Sequence, residues 1–363
     1  MERRIEARQM LGVWVLFLIA QFIGLAFAIF SYVPQAAVQA AQPSGGSVVT
    51  YILFLALEFA VVIVFIMWVV RSYRGGLFFV ALEAYMLLLG GFFFFSVIVS
   101  LLPYISNYLD GIAELALPAL LAVLLFYLWK KGRMDKNVMT IVSSVGLGLF
   151  LGANIGVSFG FWTLYIILGF FAVYDYLAVF VFKFMIPFAK QMSSRNLAFM
   201  IGSSNVEIIP KESLSREDMK ELRNFNRKQI EDPVLKRYVD EGNMPAVSSV
   251  MLGNGDIMLP LTVAAGAYFV YANAFLSLMI IFGSAAGLIA TMLLLKRYKV
   301  GLPAIPPLFA FISFSVAIAF LFYQPFSTWM IAMPALLGVL SLAAILAKLS
   351  QISREAVTIS PSL

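Results

Sequence analysis

Apolar runs about twenty residues long recur from one end of the chain to the other, and each is long enough to cross a bilayer as a helix. Inside hydrocarbon every backbone N–H and C=O must find a partner within the protein, so only helices and closed barrels span. A barrel strand would alternate polar and apolar residues over about ten positions. These runs do not. Of 363 residues 62% are hydrophobic and 12% charged, against about a quarter charged in a soluble domain. The sequence therefore predicts an all-α fold, a polytopic transmembrane helical bundle. Ten spans can be marked, at 11–33, 48–70, 77–102, 112–129, 138–158, 161–186, 246–272, 274–295, 302–323 and 327–347. The fifth and sixth are separated only by Ser158–Trp162, which requires a very tight turn.

Charge sets the expected orientation. With a cytosolic N-terminus and alternating spans, the inner segments are 1–10, 71–76, 130–137, 183–245, 296–301 and 348–363, and they hold all 25 Lys and Arg residues. The outer connections hold none. Basic residues favour the cytosolic side, and one span more or fewer would break this separation. The net charge of +6 is thereby read as inner-face anchoring at the lipid bilayer of the cell membrane, not as nucleic-acid binding. Arg3, Arg4 and Arg8 precede an apolar stretch longer than a usual signal-peptide core, so the first run is expected to be a retained span.

Two zero counts narrow the chemistry. The chain has no Cys and no His. Thiolate nucleophiles, Cys-held zinc or iron–sulfur clusters, a Ser–His pair and the two-His zinc protease motif are all excluded. No metal or cofactor is expected. The chain divides into residues 1–186, a six-span bundle; 187–245, a cytosolic loop; 246–323, three further spans; and 324–363, an extra span with a tail. Within the loop, Ser215 and Asp218 resemble a capping box that opens a short helix to about Pro233, while Asn196–Ile201 and Val206–Ile209 read as short strands.

Four acids fall within the marked spans: Glu58, Glu83, Asp175 and Asp256. A carboxylate in hydrocarbon must be protonated, solvated in a cavity or hydrogen-bonded, and such residues are functional candidates by default. Asp175 lies eight residues before Lys183 and Asp256 eleven after Pro245, about 12 and about 16 Å from the inner boundary if both stretches are helical. Two carboxyl groups at one depth on neighbouring spans suit a shared wet pocket. Like charges a few Å apart resist double ionisation, so such a pair holds one proton between them. That is the requirement of aspartyl proteolysis: one carboxylate takes a proton from water as the neutral partner donates to the peptide carbonyl. The plainer alternative is a buried, protonated, hydrogen-bonded pair. Around the acids stand Tyr174–Asp175, Gly253–Asn254–Gly255–Asp256 and Gly301–Leu302–Pro303–Ala304–Ile305–Pro306. Glycines permit close backbone approach, and prolines leave the residues before them extended. Tyr174, Gly253 and Gly255 also read as packing residues. Gly148, Gly152, Gly156 and Gly160, at four-residue spacing, read as a close helix contact.

A Tyr-Asp on the sixth span, a Gly-x-Gly-Asp on the seventh and a Pro-Ala-Leu-like element opening the ninth, with a cytosolic loop between the sixth and seventh, resemble the presenilin and signal peptide peptidase family, nearest its archaeal presenilin homologues. The resemblance covers roughly residues 1–323 and implies a nine-span core, to which the tenth span is an addition. It implies Asp175 and Asp256 as the catalytic pair, Gly253 and Gly255 as the motif glycines, and Pro303, Ala304 and Ile305 as the element that shapes the site and positions substrate. Ile305 stands where the family usually has Leu, an isomeric apolar change. A literal Pro-Ala-Leu occurs at Pro334–Leu336, inside the tenth span and one span too late. The implied activity is intramembrane endoproteolysis of single-span transmembrane substrates. A helix hides its peptide bonds, so substrate must unwind and pair with strand edges near 196–209, with residues just before Gly253 and with Leu302–Ile305.

Two other readings stay open from sequence alone. An ion-coupled transporter would use Glu58, Glu83, Asp175 and Asp256 as a relay. A prepilin-type peptidase shares Gly-x-Gly-Asp but has fewer spans and lacks the late proline element.

Overall fold

Several helix boundaries in the membrane part follow from caps and breakers, because mean hydropathy is high in every long apolar helix. A computed structural model describes residues 7–31, 76–102, 112–182, 200–209, 244–298, 302–322 and 328–359. Its elements are α1 (Ala7–Phe30), α2 (Gly76–Ser100), α3 (Ile112–Lys130), α4 (Lys136–Phe159), α5 (Phe161–Tyr176), a π-helical turn (Leu177–Val181), β1 (Met200–Ile209), β2 (Met244–Gly253), α6 (Asn254–Tyr271), α7 (Ala274–Tyr298), α8 (Ile305–Leu321) and α9 (Thr328–Ile359). Six helices among the described residues are long and apolar enough to cross a membrane, and 115–130 and 305–321 are shorter apolar helices. The expected second span at 48–70, with Glu58, and the loop helix after Ser215 lie outside the described residues.

Local chemistry explains the breaks. Asp135 caps α4, its carboxylate accepting the Asn137 N–H at 2.7 Å. The tight turn between the fifth and sixth spans is the single residue Gly160, at φ 84° and ψ 165°, a conformation essentially restricted to glycine. Its N–H still bonds to Gly156 O at 2.8 Å, so α4 stays hydrogen-bonded up to the turn itself. Asn273 starts α7 in the same economical way, its side chain accepting from Phe275 N and Leu276 N at 2.9 and 3.3 Å.

The marked span at 246–272 is corrected at its start. Residues 244–253 form β2, which pairs with β1 in a two-stranded sheet, and the helix begins only at Asn254. The stretch Val247–Ser248–Ser249–Val250 favours extended backbone over helix, and Gly253 at φ −68° and ψ 152° turns the chain into the helix. Asp256 is therefore a first-turn residue of α6, and a depth counted at helical rise from Pro245 does not apply. β1 overlaps the two short strands expected at 196–201 and 206–209, joined into one.

The chain forms two compact units, residues 1–13 with 202–251, and residues 14–201 with 252–363. In the smaller, Gly12 lies against Ser203, whose hydroxyl would stand 3.2 Å from any Cβ at that position. In the larger, α4 packs on α6 and on α2, α7 on α8, α8 on α9, and α5 on both α6 and α8. The central core joins Leu25, Ile155, Leu164, Tyr165, Val263 and Phe309 with their neighbours. Gly148, Gly152 and Gly156 on α4 have the close-contact role expected of them, whereas Gly160 does not: it has nothing within 4 Å and serves the turn instead. A Cβ on Gly152 would stand 2.8 Å from Thr262 O, and one on Gly156 3.1 Å from Gly266 Cα. Small residues let two backbones approach where apolar attraction between helices in lipid is weak.

Candidate active site

Asp175 is the next-to-last residue of α5 and is 7% exposed. After it the helix widens, with Phe182 N–H donating to Leu177 O at 2.8 Å across the π-helical turn. Such turns are frequent at functional sites because they re-aim neighbouring side chains. The carboxylate meets the start of α8, where Ile305 N–H donates to Asp175 Oδ2 at 3.1 Å and the Ala304 backbone also hydrogen-bonds to the carboxylate. The sequence explains why these donors are free. First-turn N–H groups have no partner within their own helix, and an oxyanion is favoured there. Pro306 and Pro307 have no N–H, so Ala304 and Ile305 present the opening donors of α8. Pro303 and Ile305 are buried, and Ala304 is half-buried.

Asp256 stands at the third position of α6, and its Oδ2 accepts from Gly253 N–H at 3.2 Å. This is the returning half of a capping box; glycine has no side chain to supply the other half. The motif glycines differ. A Cβ on Gly253 would stand 3.2 Å from Asp256 Oδ2, whereas Gly255 is exposed with nothing within 4 Å. Asp256 is half-buried by residue exposure. α5 and α6 pack directly, and the carboxyl groups of Asp175 and Asp256 interact electrostatically. Tyr174 is half-buried and within electrostatic range of Asp175. The structure thus brings Asp175, Asp256, Tyr174, Gly253, Gly255 and Pro303–Ile305 into the same unit, with direct contacts from Asp175 to the 304–305 backbone and from Asp256 to Gly253.

The other two acids are elsewhere. Glu83 is fully buried on α2 and forms an ion pair with Lys130 Nζ at 3.1 Å. Lys130, at the end of α3, also sits 4.0 Å over the Trp129 ring. A cation from a neighbouring helix end is therefore paired with Glu83, although Lys130 lies just outside the marked span 112–129. Glu58 lies outside the described residues.

Several polar residues not singled out in the sequence hold these helices. Gln21 on α1 donates its Nε2 to Ile257 O at 2.8 Å, one residue from Asp256. Ser144 on α4 hydrogen-bonds the Asn254 side chain. Tyr165 and Ser313 share a 2.6 Å buried hydrogen bond that ties α5 to α8. The available signal was a polar side chain within an apolar run, which must find a partner in the bundle. The carboxylates alone had drawn that inference.

The family described as signal-peptide peptidase, presenilin aspartyl protease matches residues 14–324. No curated protein matches the chain. The match spans α1 to α8 and includes every residue of the site, while α9 lies beyond it. Members of that family are aspartyl proteases that act within the membrane. The ion-coupled transporter reading is accordingly not favoured. An integral, multi-pass membrane protein, the chain belongs to the signal peptide peptidase and presenilin family of aspartyl proteases.

Proposed function

We propose that the chain is an intramembrane endopeptidase of the archaeal presenilin type, with Asp175 and Asp256 as a general acid–base pair. The observation that supports this is that two carboxyl groups on directly packed helices lie within electrostatic range of each other, each with one oxygen accepting from a backbone N–H. That leaves the second oxygen of each for water and substrate. In the reaction the ionised carboxylate takes a proton from water as its oxygen bonds to the scissile carbonyl carbon. The protonated partner donates to the carbonyl oxygen, giving a neutral gem-diol. Collapse re-forms C=O, breaks the C–N bond and protonates the leaving nitrogen, with the two carboxyls exchanging roles. Tyr174 orients Asp175, and the opening at Gly255 admits the substrate backbone.

The substrate is a transmembrane helix that unwinds before cleavage. Leu252–Gly253, at the end of β2, and the non-helical Leu302–Pro303 offer backbone for it to pair with. The N-terminus is cytosolic and ten spans cross the cell membrane, a reading supported by the one-sided distribution of all 25 basic residues. Incubation in detergent with a panel of single-span proteins tests the proposal. The intact chain cleaves within a span, and Asp175→Asn or Asp256→Asn abolishes cleavage at unchanged folding. Full activity in either variant would falsify the pairing.

A further inference from the structure

The helix beyond the family match touches both halves of the Asp175 contact. One stripe of α9 faces inward: Pro334, Gly338, Ser341, Ile345 and Leu349, at helical spacing. Ser341 Oγ donates to Pro306 O at 3.0 Å, one residue from the Ile305 N–H that meets Asp175. Three residues earlier, Gly338 brings α9 onto α8, where a Cβ would stand 3.0 Å from Ala310 O. About one and two turns beyond Ser341, Ile345 and Leu349, at 1% and 0% exposure, pack with Val179 and Phe180 of the π-helical turn after Asp175 and with Leu302.

The first turn of α8 depends on such outside help. Pro306 and Pro307 fill first-turn positions whose N–H would find no partner within the helix anyway. The first hydrogen bond that closes the turn, Leu308 N to Ala304 O, is long at 3.4 Å. A weakly self-tied segment carrying the donors to a reactive carboxylate will wander unless something holds it. We infer that α9 is a strut that fixes the Ala304–Ile305 donors against Asp175, with Ser341 as a positioning residue for proteolysis. This rests on Asp175 being one of the two catalytic acids.

The test uses the full-length chain. Ser341→Ala lowers kcat about tenfold with KM nearly unchanged, the expected consequence of losing one orienting hydrogen bond. Ser341→Thr keeps the hydroxyl and restores most of the rate. Val339→Ala, on the outward face of α9, leaves kcat unchanged. A second readout needs no catalysis. The chain has no Cys, so Ala304→Cys provides one reporter thiol, and adding Ser341→Ala or Leu349→Ala raises its labelling rate about tenfold by the same loosening. Unchanged labelling, or a Ser341→Ala variant with wild-type kcat, overturns the strut. Faster labelling, together with a wild-type chain that cleaves no substrate, keeps the strut and refutes the protease reading.

Discussion

Replacing the two motif glycines one at a time separates roles that the sequence cannot distinguish. Gly253 has φ −68° and ψ 152°, a conformation open to alanine, so Gly253→Ala costs nothing in backbone strain. Its methyl would stand 3.2 Å from Asp256 Oδ2, closer than carbon and oxygen normally rest. The carboxylate must then move by a few tenths of an ångström or give up the Gly253 N–H. A hydrogen bond to a charged group is worth about 1.5–3 kcal/mol, so its partial loss costs about 1–2 kcal/mol of transition-state stabilisation and lowers kcat roughly five- to thirtyfold. Gly255→Ala meets nothing within 4 Å and adds a better helix former, worth up to about 1 kcal/mol in a helix interior. The free protein therefore keeps or gains stability. The new methyl occupies the space where substrate backbone is proposed to enter, so KM rises while kcat changes little. Steady-state cleavage of one transmembrane substrate in detergent, with thermal unfolding in parallel, reads both effects. A larger kcat loss in Gly255→Ala than in Gly253→Ala would refute this division of roles.

Other substitutions probe the scaffold. Gly152→Ala forces α4 away from Thr262 O on α6 and should destabilise by about 1–3 kcal/mol, as overpacking does, with a lowered melting temperature as the readout. Gly160→Ala meets no neighbour, yet its backbone conformation should cost about 1–3 kcal/mol, visible in the same assay. Tyr165→Phe removes the 2.6 Å bond to Ser313 and should cost about 1 kcal/mol of stability. Glu83→Gln breaks the pair with Lys130 but should leave cleavage at the wild-type level. Abolished cleavage there would make Glu83 part of the machinery.

The helical character and many helix boundaries were legible because apolar length is a strong signal. The boundaries of α2, α3 and α4 fall within two residues of the marked spans. The seventh span was misread at its start because Val247–Leu252 is apolar enough for either state, and hydropathy does not distinguish a buried strand from a helix. The identity of the candidate acids was legible from the cost of charge in hydrocarbon. Their hydrogen bonds were not: that Pro306 and Pro307 leave Ile305 to serve Asp175 depends on helix capping across 130 residues of sequence. The tenth span was equally opaque, since the contact of Ser341 with Pro306 depends on which face of α9 turns inward.

The central proposition is that Asp175 and Asp256 share one site, and a chain free of cysteine allows it to be measured directly. In an Asp175→Cys, Asp256→Cys double variant, a disulfide needs Cβ atoms about 3.5–4.5 Å apart, and a short bis-thiosulfonate reagent bridges a somewhat wider gap. One shared site predicts an intramolecular cross-link by at least the short reagent, seen by mass spectrometry of the two joined peptides. Single-cysteine variants that both label, paired with a double variant that never cross-links, would contradict it.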